Sequence, residues 1–151
     1  MAVTSEQVRA VLDRDEPDYE EAASLGPEAL PFLQRFVESG DPSLAPKAAY
    51  LAGRIGDPQA APILEQAAAS DEPAVRAAAA GGVRHLPDEQ ADAVLQMLLD
   101  DDEPGVRKTA LHAVPASPSE DLAAKVEVLR EHEPEPAVRE VAADVADRTN
   151  P

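Results

Sequence analysis

Apolar residues in this chain fall at helical spacing in short blocks, and the blocks return every 31 residues. Ala60, Ile63, Leu64, Ala67 and Ala68 recur as Ala91, Val94, Leu95, Leu98 and Leu99; Val75, Ala79, Ala80 and Val83 recur as Val106, Ala110, Leu111 and Val114. Steps of three and four residues put each set on one face of an α-helix. The polar punctuation keeps the same register. Glu72-Pro73-Ala74-Val75-Arg76 returns as Glu103-Pro104-Gly105-Val106-Arg107 and, one residue late, as Glu135-Pro136-Ala137-Val138-Arg139. A fixed period of this length denotes stacked supersecondary units, each too small to bury its own apolar face.

The pattern predicts two alternating helix types. Inner helices cover about 27–38, 58–69, 88–100 and 119–131, and outer helices about 42–55, 73–85, 104–114 and 136–148. Ahead of them, Thr4 to about Arg14 reads as a helix with Ser5 as cap and Val8, Val11 and Leu12 on one side. A shorter helix from about Pro17 to Leu25 stops at Gly26. Residues 1–151 thus form a single domain with a capping helix over 4–14, repeats over about 17–38, 42–69, 73–100 and 104–131, and a C-terminal half repeat over 136–148. That last helix has no inner helix after it. Its Glu140, Asp144, Asp147 and Arg148 suit it to a polar cap over a face of Val138, Val141, Ala142 and Val145. Two helices per unit, without strand-like alternation or glycine-rich hairpins, exclude leucine-rich and propeller repeats.

Ala, the best helix former, is the commonest residue in the 44 % apolar content, followed by Val and Leu, and only Tyr19, Phe32, Phe36 and Tyr50 are aromatic. Proline recurs at helix starts, as in Asp41-Pro42, Asp57-Pro58, Pro87-Asp88 and Pro118-Ser119. Gly81-Gly82 falls inside an outer helix, where each glycine costs about 1 kcal/mol relative to Ala. Close packing against a neighbouring unit and a flexible kink both account for the pair.

Leu51-Ala52-Gly53-Arg54-Ile55-Gly56-Asp57-Pro58 leads into Ala60-Ala61-Pro62-Ile63-Leu64, and an acidic-Pro-x-Val-Arg-x-x-Ala-Ala run occurs at 72–80, 103–111 and 135–143. Together they resemble HEAT repeats, in the short bacterial form also seen in the phycocyanobilin-lyase-like group. Leu25-Gly26-Pro27-Glu28-Ala29-Leu30-Pro31-Phe32-Leu33 resembles the same junction in the first unit, so the resemblance spans roughly 17–148. Stacked helix–turn–helix units give an all-α fold, an α-solenoid of about four to five HEAT-like hairpins in a right-handed superhelix with the inner helices on its concave face. The resemblance also implies a structural capping ladder. Asp57 and Asp88 accept backbone N–H groups at inner-helix starts, and Arg76, Arg107 and Arg139 reach the same carboxylates or a turn carbonyl. Ala45 replaces the Arg in the second unit, with Lys47 a candidate substitute, and Ser119 replaces the Asp in the fourth.

Charge narrows the function. With 30 acidic against 13 basic residues the formal charge is −17, which repels phosphate backbones and anionic membrane and favours a basic protein partner or plain solubility. No Cys is present, no long apolar run reads as a span, and Met1-Ala2-Val3-Thr4-Ser5-Glu6-Gln7 lacks a signal-peptide pattern; a cytoplasmic protein is expected.

The chemistry of HEAT-related enzymes finds little support. A deoxyhypusine-hydroxylase resemblance would require His-Glu steps directly after Val-Arg, where this chain has Ala77, Lys108 and Glu140. Of His85, His112 and His132, only His132 precedes a Glu, once and in a turn, whereas a metal site needs three or more convergent ligands. HEAT-like DNA glycosylases use a basic, aromatic-lined groove, and few aromatics make a poor tetrapyrrole pocket. No catalytic residue, metal or cofactor is expected.

Two surfaces remain as candidates. Acidic clusters precede or open outer helices: Asp13 to Glu21, Asp71-Glu72, Asp100-Asp101-Asp102-Glu103, and Glu131, Glu133 and Glu135. These turns should align as a ridge along one edge. Carboxylates are favoured at helix N-termini in any case, by about 0.3–1 kcal/mol each, but four in succession at 100–103 exceed that need. The second candidate is the concave face, with Leu30, Gln34, Glu65, Asp92, Gln96 and Glu127, which suits either a groove for an extended or helical peptide or inert surface. The reading is a non-enzymatic protein–protein interaction module, a monomeric scaffold or adaptor for a protein or peptide of basic character. The alternative is an accessory subunit of an enzyme, bilin-lyase-like or a maturation factor.

Overall fold

Helices form where the apolar blocks predict them. A computed structural model describes residues 2–149, which contain ten α-helices and no strand. They are α1 (Ser5–Leu12), α2 (Tyr19–Ala23), α3 (Leu30–Glu38), α4 (Ala45–Ile55), α5 (Ala61–Ala68), α6 (Pro73–Gly82), α7 (Asp88–Leu99), α8 (Pro104–His112), α9 (Glu120–His132) and α10 (Pro136–Thr149). Single 3-10 turns at Pro27–Ala29 and Pro58–Ala60 lead into α3 and α5, and Val83–His85 prolongs α6. No helix of the described residues is long and apolar enough to cross a membrane.

Proline in the first turn opens α4, α6 and α8, where its missing N–H would have no partner anyway. Thr4, rather than Ser5, caps α1: its hydroxyl accepts from the Gln7 N–H at 3.2 Å while the Gln7 side chain accepts from the Thr4 N–H at 2.8 Å. Gly56 ends α4 in the left-handed region at φ 74°, with its N–H returned to the Gly53 carbonyl.

The helices stack in two layers. Helices α1, α3, α5, α7 and α9 follow one another in the first, and α2, α4, α6, α8 and α10 in the second. Across the layers the tighter pairs are α3 with α4, α5 with α6, α7 with α8 and α9 with α10. Helix α10, expected as an unpaired half repeat, therefore closes a hairpin with α9 and also packs on α8.

One continuous apolar core runs between the layers. The first layer contributes branched side chains such as Leu33, Ile63, Leu64, Leu95, Leu98 and Leu99. The second is built largely from small ones, including Ala48, Ala49, Ala52, Ala79, Ala80, Ala110, Ala142 and Ala146. Small residues let helix axes approach, and α4 and α6 form the most extensive helix contact of the chain. They cross at Gly53 and Gly82, where a Cβ built on Gly53 would lie 2.4 Å from the Gly82 carbonyl oxygen. A Cβ on Gly82 would meet the Tyr50 carbonyl oxygen at 3.2 Å, and one on Gly81 only the Tyr50 ring at 3.5 Å. Close packing thus explains Gly82. The Tyr50 ring in turn meets Tyr19 edge to face, centroids 4.6 Å apart.

Gly53→Ala is expected to destabilise the protein, because a backbone clash costing about 1–3 kcal/mol exceeds the helix-propensity gain of about 1 kcal/mol. Gly105→Ala meets nothing within 4 Å and is expected to stabilise by up to about 1 kcal/mol. Urea midpoints for the two variants should move in opposite directions.

Candidate functional site

Because successive helices run in opposite directions, the turns divide between two edges. Turns leading from the first layer to the second lie on one edge, and all four acidic clusters fall there, at 13–18, 71–72, 100–103 and 131–135. Turns leading back lie on the other edge, about a helix length away.

This division redirects the arginine ladder. Arg76, in the first turn of α6, donates from Nε to Asp101 Oδ2 at 2.7 Å and from Nη2 to Asp101 Oδ1 at 3.3 Å. Arg107, in the first turn of α8, makes the same bidentate fork with Glu133, at 2.8 and 2.6 Å. The expected acceptors, Asp57 and Asp88, sit at the opposite edge, roughly 15 Å away for a ten-residue helix. There Asp57 caps the 3-10 turn, accepting from the Gln59 N–H at 2.8 Å. Asp88 is the first residue of α7, with Pro87 in the capping position. Ser119 caps α9 through the Leu122 N–H at 3.1 Å.

The ladder repeats atom for atom. In each unit the residue three positions before the helix-opening proline accepts a backbone N–H from the residue two positions on: Ser70 from Glu72 at 3.1 Å, Asp101 from Glu103 at 2.9 Å, Glu133 from Glu135 at 3.1 Å. The carbonyl of that same residue accepts from the unit's own arginine: Ser70 from Arg76 at 3.0 Å, Asp101 from Arg107 at 2.7 Å, Glu133 from Arg139 at 3.0 Å. Each arginine therefore closes its own turn, and Arg76 and Arg107 also grip the next unit's carboxylate. The ladder starts where both partners change together, since Ala45 stands in the arginine column and Ser70 in the matching acid column. Lys47 instead donates to the Leu12 and Arg14 carbonyls at 3.1 and 2.9 Å, tying the end of α1 to α4.

Two acids are consumed in this way. The Asp101 side chain is 7 % exposed and that of Glu133 1 %. Asp101 is thus a strut between units rather than a docking group. The Arg107 hydrogen bonds hold the Glu133 carboxyl below its ordinary value, outweighing burial, with the Glu135 N–H adding to the effect. Asp100 stays on the surface at 68 % exposure, 2.6 Å from Lys125 Nζ, and Asp102 and Glu103 are exposed.

The other candidates divide as well. Leu30 is 3 % exposed and belongs to the core: the 3-10 turn before α3 advances fewer residues per turn and rotates the helix phase. Gln34 and Glu65 are exposed, Gln34 bonding Glu38 at 3.2 Å. Gln96 donates to Asp92 at 2.8 Å and Ser119 to the other Asp92 oxygen at 2.6 Å, so Asp92 ties α7 to the start of α9. Glu127 is half-buried, 3.6 Å from Arg130.

Sequence reasoning missed a set of clefts. Three recur along the acidic edge, each between the C-terminal ends of neighbouring first-layer helices. The α3–α5 cleft, about 470 Å³, is lined by Val37, Glu38, Gln66, Asp71 and Glu72. The α5–α7 cleft, about 210 Å³, is lined by Ala68, Ala69, Ser70, Asp100 and Asp102. The α7–α9 cleft, about 330 Å³, is lined by Leu99, Asp100, Val128, Leu129 and His132. The 31-residue register of the helix ends was the available signal.

The opposite edge is mixed in charge, since Asp57, Asp88, Glu89, Glu120 and Asp121 lie there beside two arginines. Arg54 and Arg84 stand near His85, which burial first, and then the two guanidinium groups, push below its ordinary pKa. Arg54 Nε is buried without a hydrogen-bond partner among the described residues.

A family model described as HEAT repeats matches residues 8–84 and 68–146. No curated protein matches the chain. Among solved structures, the complex of CpcE and CpcF of phycocyanin lyase from a Nostoc species is similar, with 21 % identity and a TM-score of 0.74 over 93 % of this chain and 96 % of that one. A designed armadillo repeat protein in complex with the peptide (KR)4 is similar at 19 % identity and a TM-score of 0.64, over 97 % of this chain and 75 % of that one.

Arg107→Met strands a buried carboxylate and is expected to cost about 3 kcal/mol or more. Because the folded Glu133 pKa is lowered, its contribution is present above the unfolded value, near 4.5, and is lost as pH falls through the folded value. Urea melts from pH 7 to pH 3 should therefore show the gap between the protein and Arg107→Met closing on acidification.

Proposed function

The chain belongs to the HEAT-repeat family, and from that premise we propose that it is a non-enzymatic docking module, a scaffold or adaptor that binds a protein segment of basic character along its acidic edge. The carrying observation is the segregation of the acidic turns to one edge, where two carboxylates are used internally and the rest face solvent. Asp71, Glu72, Asp100, Asp102, Glu103 and Glu131 are exposed there, beside clefts that recur at each unit. Like charges held in a row on a rigid frame raise the local potential and the rate of capture of a cationic partner. The chain's −17 charge acts in the same direction. Gln34, Glu65 and Glu127, on the first-layer helices, extend the contact beyond the edge. The similar designed armadillo protein, bound to a peptide of alternating lysine and arginine, supports a solenoid as a suitable frame for such a ligand.

A second reading is an accessory subunit paired with another solenoid, as a lyase subunit or maturation factor. It draws on the near-complete mutual coverage with the phycocyanin lyase structure.

A labelled (KR)4 peptide titrated by fluorescence anisotropy tests the first reading. Binding should weaken as salt rises through the screening range. The triple variant Asp100→Asn, Asp102→Asn, Glu103→Gln should bind several-fold more weakly, at about twofold for each exposed carboxylate removed. Salt-insensitive binding, or no difference between the protein and the triple variant, would overturn the acidic-edge reading.

A further inference from the structure

Acidic residues are missing from one part of this chain. Segments 42–56, 73–87 and 104–118, which hold α4, α6 and α8 with their flanking turns, contain none of the 30. They do contain Lys47, Arg54, Arg76, Arg84, Arg107 and Lys108, six of the 13 cationic residues. Burial does not account for the gap. Ala74, Gly105 and Lys108 are exposed and Ala77 and Ala78 half-buried, whereas exposed positions of the first layer hold Glu38, Glu65 and Glu89. The middle of the second layer thus presents an outer face without negative charge, on a protein of charge −17.

The cations of this face divide by what they touch. Arg76 and Arg107 turn to the acidic edge and are taken by Asp101 and Glu133, while Lys47 is taken by two carbonyls at the end of α1. Arg54, Arg84 and Lys108 have no carboxylate partner among the described residues. Helix C-termini favour cations in any case, and Arg84 meets that need by donating to the His112 carbonyl, in the last turn of α8, at 3.4 Å. Arg54 does not. It stands half-buried in the last turn of α4, and its buried Nε finds no acceptor among the described residues, an arrangement that costs stability unless something outside supplies one. Lys108 lies in the middle of α8, where no helix end explains it. The acids of this edge, Asp57, Asp88 and Glu89, stand at the starts of first-layer helices, and Asp57 is occupied by the Gln59 N–H.

The three cations are neighbours in space. Helix α6 packs between α4 and α8. The charges of Arg54 and Arg84 both reach His85, and Arg84 bridges to α8 at His112. Lys108 is one turn before His112 and so on the same side of α8. Adjacent helix axes lie about 8–10 Å apart, which strings the charges in a row across three helices instead of converging them on a point. A compact anion such as phosphate meets one of them at a time, whereas a segment with successive carboxylates meets all three. A long phosphate backbone is repelled by the rest of the surface.

We propose that the row Arg54–Arg84–Lys108 is a second docking site, and that it takes a protein segment bearing successive Asp or Glu side chains. It stands independently of the acidic-edge reading, since it shares no residue with that edge and has the opposite sign. The strong negative charge elsewhere repels the same segment, which confines contact to this face and fixes its register. One chain then holds two partner segments of opposite charge on opposite edges, as an adaptor requires.

A labelled eight-residue peptide of alternating Asp and Glu, titrated by fluorescence anisotropy at low salt, tests the site. The parent chain should bind it, and more weakly as salt rises. The double variant Arg54→Gln, Lys108→Gln should bind about fourfold more weakly, at about twofold for each charge removed, while its binding of (KR)4 should not weaken. Circular dichroism checks that the fold persists. No binding by the parent chain, or equal binding by the double variant, overturns the site and leaves the acidic-edge reading standing. A single-stranded oligonucleotide of equal charge that competes as well as the peptide overturns the assignment to a protein segment. Self-association of the parent in analytical ultracentrifugation that the double variant loses overturns it too, in favour of a second copy of the chain.

Discussion

The contact between the small residues of the second layer sets the geometry of everything else. Ala and Gly faces on α4 and α6 let those helices approach until backbone meets backbone at Gly53 and Gly82. Across the core the first layer fills its share of the interior with Leu, Ile and Val, which hold helix axes further apart. One layer is thus drawn together while the other is propped open, and the openings lie at the ends of the propped helices. The clefts of the acidic edge are in this sense a product of alanine on the opposite layer.

Charge follows the same frame. Helix hairpins sort turns onto two edges, and the edge with the long-period Glu-Pro motif collects the four acidic clusters. Two units each devote one inward carboxylate to an arginine of the unit before, Asp101 to Arg76 and Glu133 to Arg107. A buried pair of this kind adds little net stability compared with a well-packed apolar pair, but breaking one partner is costly. Its contribution is to register: the fork fits one acid at one place. Asp71, Glu72, Asp102 and Glu103 stay in water.

Much of the fold was legible in the sequence, and the part that was not has a physical cause. Helix positions could be read because apolar period and proline punctuation agree, so inner and outer helices fall within a few residues of the structure. Leu30 was misplaced because a 3-10 turn before α3 breaks the 3.6-residue phase on which the face assignment depends. The family resemblance pairs the arginines with Asp57 and Asp88, whereas hairpin direction sends Arg76 and Arg107 forward to Asp101 and Glu133. The signal was present: each inward residue stands three positions before a helix-opening proline, in a run of acids that composition alone cannot sort. The clefts left only the faint trace of helix ends recurring in the 31-residue register, as Ala68 and Leu99 do.

The arginine ladder also gives the solenoid a polarity that its repeated helices do not have. Every fork reaches from one unit to the next and never back, so the units resemble links that can close in only one direction. Opening at the α1–α4 side breaks no fork, since Ala45 and Ser70 occupy the positions of the arginine and the acid at that junction. Opening at the α9–α10 side strips Arg107 of its carboxylate. The two ends of a nearly symmetric stack thus fray at unequal cost, and the C-terminal end is the one the ladder secures.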